Sequence, residues 1–173
     1  MVEDYGIALI QMMENAGRAL ADLARRRFLN GDPRGKHVTE QAGAGGNGGG
    51  GLVAARRLAG WGAQVAVHTT KPDTAYDGVP AHQLAILRRM DTSIQAPSHA
   101  DAVPAADLCI DALIGYSLDG APRGPAAALI RAANASEALV LSLDVPSGLD
   151  TTTGTVHDPA VRAAATMTLA LPK

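Results

Sequence analysis

Apolar residues recur at spacings of three and four between residues 7 and 28, where Ile10, Met13, Gly17, Leu20, Ala24 and Phe28 share one stripe. That period predicts an amphipathic helix, with Met12 or Met13 turned into the core. The stretch NGDPRG at 30–35 ends it, because Gly and Pro interrupt regular structure. Beyond it, short apolar runs alternate with helical periods. Strands are expected near 36–42, 64–70, 107–114, 138–144 and 163–171, helices near 48–60, 78–90 and 122–134, and a weaker strand at 92–95. The runs LCIDALI and ALVLSLDV are almost continuously apolar, as strands buried on both faces are. Strand, helix, strand alternation implies right-handed crossovers, hence an α/β fold with a mainly parallel sheet covered on both sides. The first strand, HVTEQAG, breaks the pattern with Glu40 and Gln41: either it is short or it buries two polar groups. No repeat or long linker interrupts the chain, so residues 1–173 read as one domain.

Composition narrows the function. At 173 residues with 47% hydrophobic content and a mean hydropathy of +0.05, the chain can bury a full core without disulfides or a structural metal. Aromatic residues are scarce at 3%, so aliphatic side chains must fill the interior. A net charge of −2 leaves no footprint for nucleic acid, and Arg25, Arg26 and Arg27 read as the solvated end of a helix. The lone Cys109, in an apolar run, reads as a small core residue and fits a reducing, cytoplasmic setting. No signal peptide or membrane-length apolar stretch is seen. His37, His68, His82, His99 and His157 lack metal-ligand spacing and are expected at the surface or at strand ends.

Three suggestive clusters follow the carboxyl ends of expected strands, the edge at which open α/β sheets bind ligands. The first, GAGGNGGGGLVAARRL from Gly43 to Leu58, leads directly into a helix. Backbone without Cβ can approach a phosphate, and a helix start near Gly48 offers unpaired N–H groups to it. Gly43, Gly45 and Gly48 make a formal GxGxxG, but the second strand ends VHTTKP, without the acid that holds a ribose in dinucleotide dehydrogenases. No Lys-Ser or Lys-Thr follows the glycines, so the P-loop pattern fails too, which weakens both redox-cofactor and phosphoryl-transfer readings. The second cluster, IDALIGYSLDGAPRGP, places Asp111 inside an apolar strand, where a carboxylate must be paired, hydrogen-bonded or bound to a cation. The third, LDVPSGLDTTTG, closes a strand with Asp144 and continues to Ser147, which has no Gly-x-Ser-x-Gly elbow around it.

Taken in order, MMENAGRALA, GAGGNGGGGLVAARRL, DALIG, LDVPSGLD and TMTLALPK resemble the YjeF N-terminal domain family, the NAD(P)H-hydrate epimerases. The resemblance covers nearly the whole chain. It implies a Rossmann-like three-layer α/β/α sandwich, a homodimer, and interconversion of the R and S forms of NADHX and NADPHX in metabolite repair, with the nicotinamide nucleotide as substrate. By similarity, substrate would meet Gly46, Asn47, Gly48, Gly49 and Gly50 in the first loop, Gly115, Tyr116, Ser117, Leu118, Asp119, Gly120 and Ala121 in the second, and Asp144, the candidate acid/base. Potassium would be held by Asn47, Asp111 and Ser147. The family's usual NNGGDG reads GNGGGG here, so Gly46 and Gly50 replace an Asn and an Asp. Relatives of this fold also serve as non-catalytic dimerisation or binding modules. Retention of Asn47, Asp111, Asp144 and Ser147 favours the enzyme.

Overall fold

The computed structural model describes residues 6–97 and 105–169. Its elements run α1 (Leu9–Arg27), β1 (His37–Ala42), α2 (Gly46–Gly60), β2 (Gln64–Thr69), a 3₁₀ turn (Asp73–Ala75), α3 (Gly78–Arg89), β3 (Ser93–Gln95), β4 (Leu108–Ala112), α4 (Gly124–Ala135), β5 (Leu139–Leu143) and β6 (Ala165–Met167). The strands form one six-stranded sheet in the order β3-β2-β1-β4-β5-β6, and every pairing is parallel. This is the Rossmann-like three-layer fold expected from the alternation of strands and helices. The strand order reverses between β1 and β4, the switch point at which such sheets open a crevice.

The helix read from the first apolar stripe spans Leu9–Arg27. Met13, Gly17, Leu20 and Ala24 are buried as the spacing implies, whereas Ile10, in the first turn, is 37% exposed. Gln11 Oε1 accepts from the Ala8 N–H at 2.9 Å and starts the helix. At its other end Asp22 pairs with Arg25 and Arg26, and the Arg25 guanidinium lies 5.4 Å from the Trp61 ring centroid.

Two hydrophobic clusters flank the sheet. The larger joins Leu20 and Ala24 of α1, Leu52 and Leu58 of α2, and Val38, Ile110 and Leu141 of the sheet. The smaller joins Cys109 and Val140 to Leu129, Ile130 and Ala133 of α4. Cys109 is a core residue as expected, and burial pushes its thiol pKa well up. His68 lies at the end of β2, one of the two kinds of place expected for the histidines; it is buried there, and desolvation lowers its pKa. His99 lies outside the described residues.

β1 resolves the alternatives left by its sequence: it is a full six-residue strand with Glu40 and Gln41 both fully buried. Gln41 Nε2 donates to the Leu129 carbonyl of α4 at 2.9 Å. Glu40 turns to the opposite face, and among the described residues neither carboxyl oxygen has a hydrogen-bond partner. Desolvation, reinforced by the charge of Asp111, raises the Glu40 pKa well above its ordinary value. The side chain fits only because residue 51 of the overlying helix is glycine, as a Cβ there would collide with Glu40 Oε1.

Candidate active site

The three sequence clusters meet at the carboxyl edge of β1, β4 and β5. Gly43 donates its N–H to the Ala112 carbonyl at 3.1 Å, which seats the first loop against the end of β4. The helix begins at Gly46, with Gly45 as N-cap, two residues earlier than the glycine pattern indicated. No side chain caps it, so the glycines carried no marker of where coil becomes helix.

That shift changes the role of Gly48. A Cβ at this position would strike the Gly43 carbonyl, so its glycine permits the strand-to-helix turn itself. Gly48, Gly49 and Gly50 are all buried, Gly49 against Met13 and Gly50 against Leu143. Gly45 and Gly46 are exposed, with nothing within 4 Å of a Cβ built at Gly45. The first intrahelical donor is Gly49, bonded to Gly45 O at 3.0 Å. The N–H groups of Gly46, Asn47 and Gly48 therefore lack a carbonyl four residues back and are the donors a phosphate would meet.

Asp111 answers the cost of a carboxylate in a buried strand with four hydrogen bonds. Oδ1 accepts from Ser147 Oγ at 2.6 Å and from Leu113 N at 3.2 Å. Oδ2 accepts from Ser142 Oγ at 2.8 Å and Ser147 N at 2.9 Å. Desolvation nevertheless outweighs these bonds and raises its pKa. Ser147 Oγ also accepts from Ile114 N at 2.9 Å, so this one side chain fastens the loop after β4 to the loop after β5.

Asp144, 4% exposed, has φ of +68°, the left-handed region that Asp and Asn enter more readily than other side chains. Its N–H donates to the Met167 carbonyl of β6 at 2.8 Å, while Oδ2 accepts from Tyr116 N at 3.2 Å. Gly115 is wedged between Asp144 and Asn47: a Cβ there would lie 3.1 Å from Asp144 Oδ2 and 3.3 Å from Asn47 Cγ. Asn47, Gly115 and Asp144 thus converge on one point. From Tyr116 the second loop turns outward, with Ser117, Asp119, Gly120 and Ala121 exposed and Leu118 half-buried.

The model of the YjeF-related protein N-terminus family matches residues 9–173. The chain belongs to that family. It is 46% identical over 175 residues to the NAD(P)H-hydrate epimerase of Dehalogenimonas lykanthroporepellens, covering 99% of this chain and 69% of that protein. It is 43% identical over 176 residues to a bifunctional NAD(P)H-hydrate repair enzyme of Hyperthermus butylicus, covering 99% of this chain but 32% of the relative. A yeast protein of known crystal structure superposes with a TM-score of 0.78 at 28% identity, over 97% of this chain and 73% of that one.

In this YjeF-related domain, two polar features escaped the sequence reading. Glu14 of α1 binds Arg56 at 2.5 Å and Arg57 at 2.9 Å, and accepts from Gln83 Nε2 at 3.1 Å, tying α1, α2 and α3 together behind the glycine loop. The Tyr76 hydroxyl donates to the Ala42 carbonyl at 2.9 Å, bracing the end of β1. Both link residues far apart in sequence, and neither leaves a local pattern.

Proposed function

We propose that this domain epimerises the R and S forms of NAD(P)H hydrate at the junction of Asn47, Gly115 and Asp144. The observation that carries the site is the Asp144 carboxylate, nearly sealed from water yet placed where all three loops meet beside the open first turn of α2. In the hydrate, the ring-nitrogen lone pair can form a C=N bond as the hydroxyl at carbon 6 departs. Departure needs a proton, and the Asp144 carboxylic acid supplies it, so the group leaves as water. The resulting ring is planar. Water then adds to carbon 6 from either face, and the Asp144 carboxylate takes up the released proton, restoring the starting state. The first-turn N–H groups of α2 anchor the substrate's phosphate and supply no chemistry.

A potassium ion belongs to the same proposal. Among the described residues no basic side chain forms an ion pair with the buried Asp111. Oxygen atoms of Asn47, Asp111 and Ser147 suit a hard cation, which would offset buried negative charge and order the loops. Exchanging potassium for a bulky organic cation should lower the melting temperature, and Asp111→Asn should blunt the response. Melting indifferent to potassium would remove the ion.

A homodimer in the cytoplasm completes the reading. Its support is the exposed Ile7, Leu9 and Ile10 at the start of α1, together with a lone, buried cysteine. Among the described residues no helix is long and apolar enough to cross a membrane. Incubation of purified R and S hydrates with the protein, followed by chromatography, tests the activity. Equilibration no faster than in buffer would leave a non-catalytic module of the same fold.

A further inference from the structure

Where the end of α4 meets the segment that leads into β6, a cleft of about 440 Å³ is lined by Arg131 and Asn134 of the helix and by Val156, His157, Asp158 and Arg162 of the segment. None of the residues placed in the candidate active site lines it. Its volume is that of a small-molecule site. The walls are fastened in advance. Asn134 Nδ2 donates to the Ala160 carbonyl at 2.8 Å, and its Oδ1 accepts from the Arg162 N–H at 2.9 Å, so one side chain locks the segment to α4. From the other side the His157 N–H donates to the Gly148 carbonyl at 3.0 Å and the Val161 N–H to the Ser147 carbonyl at 2.8 Å. Gly148, with φ of +100°, packs so closely that a Cβ there would lie 2.6 Å from Ala160 Cα. The cleft is therefore preformed, and its backbone is bonded to the loop whose Ser147 holds Asp111.

Charge decides what fits. Arg25, Arg26, Arg34, Arg56, Arg57 and Arg88 each pair with a carboxylate. Among the described residues no ion pair or side-chain hydrogen bond engages Arg131 or Arg162, one on each wall of the cleft. Asp158 is the one carboxylate among the lining residues, and it pairs with neither. Two guanidinium groups against one carboxylate leave the cleft cationic, an excess that the carbonyl end of α4, with about half a negative charge, does not cancel. A phosphate monoester carries close to two negative charges on three free oxygens, enough to engage guanidinium groups from both walls. Val156, 69% exposed, offers apolar surface to an organic body. We propose that this cleft is a second binding site, for a small organic phosphate.

The probes are AMP and inorganic phosphate, followed by calorimetry and by amide shifts in NMR spectra of the isotope-labelled protein. AMP should shift the amides of His157, Val161 and Arg162. Arg131→Gln and Arg162→Gln, both at exposed positions, should each weaken this binding by about tenfold. Inorganic phosphate, lacking the organic body, should bind about tenfold more weakly than AMP. Gly45→Asp, which puts a carboxylate at the first turn of α2, should leave the shifts at 157–162 unchanged, separating this cleft from the proposed substrate site. AMP shifts confined to Gly46, Asn47 and Gly48, or shifts near Val161 that survive both arginine replacements, would overturn the proposal. Inorganic phosphate bound as tightly as AMP would also overturn it, reducing the cleft to a place for an adventitious ion only. None of these outcomes depends on whether the protein equilibrates the R and S hydrates.

Discussion

Ser147 holds Asp111 twice, through its hydroxyl at 2.6 Å and its backbone N–H at 2.9 Å, and through them binds the loop after β5 to the strand beside it. The same hydroxyl accepts from Ile114 N. Ser147→Ala removes the hydroxyl's contacts with Asp111 and Ile114 and leaves a buried carboxylate oxygen with one donor fewer. The expected loss is about 1–3 kcal/mol of stability. Urea denaturation checks it, and a variant as stable as wild type would show that the loops are held elsewhere.

The glycine loop predicts opposite outcomes at positions three residues apart. Gly45 is an N-cap in extended conformation with φ of −91° and open space around a Cβ. Gly45→Asp should keep or raise stability by a few tenths of a kcal/mol, because Asp caps helices well. Its carboxylate would nonetheless occupy the anion's place, and nucleotide affinity should fall by about tenfold or more. Gly48→Ala should do the reverse at the level of folding, forcing a methyl against the Gly43 carbonyl at a cost of about 1–3 kcal/mol. Thermal melting and nucleotide calorimetry on both variants separate the two roles.

Glu40 gives a pH dependence. Its folded pKa lies well above the ordinary 4.5, from desolvation first and the neighbouring Asp111 charge second. The folded state therefore holds a proton that the unfolded chain releases, and stability falls as pH rises above about 4.5 towards the folded pKa. Glu40→Leu removes an unpartnered carboxyl from an apolar site and should stabilise the fold by about 1–3 kcal/mol near neutral pH. It should also flatten stability between pH 5 and 8, leaving the smaller slope due to Asp111, whose pKa is raised as well. Denaturation midpoints across that range check this. An unchanged slope in Glu40→Leu would mean that Glu40 is ionised or paired in the folded state.

The alternation that revealed the layers was legible because β4 and β5 are buried on both faces and carry almost nothing polar except Asp111 and Ser142. Asp111 and Asp144 stood out for the same reason: a carboxylate in an apolar run is visible against its background. The start of α2 was not legible, since a run of glycines holds no side chain to mark a cap. Nor could one strand's sequence tell whether Glu40 and Gln41 were buried. That depended on Leu129 offering a carbonyl to one and Gly51 making room for the other. The expected strand at 163–171 is Ala165–Met167 among the described residues, as β6 pairs only with Leu141, Ser142 and Leu143.

Asp144→Asn removes the proton that Asp144 is proposed to shuttle. Asn tolerates the left-handed φ of +68° and keeps the size of Asp, so the fold and the Tyr116 N–H bond should survive. It cannot give or take the proton. The variant should melt like wild type and bind nucleotide, while equilibration of the R and S hydrates slows by about 10²–10⁴-fold. An Asp144→Asn variant that equilibrates the hydrates as fast as wild type would contradict that role.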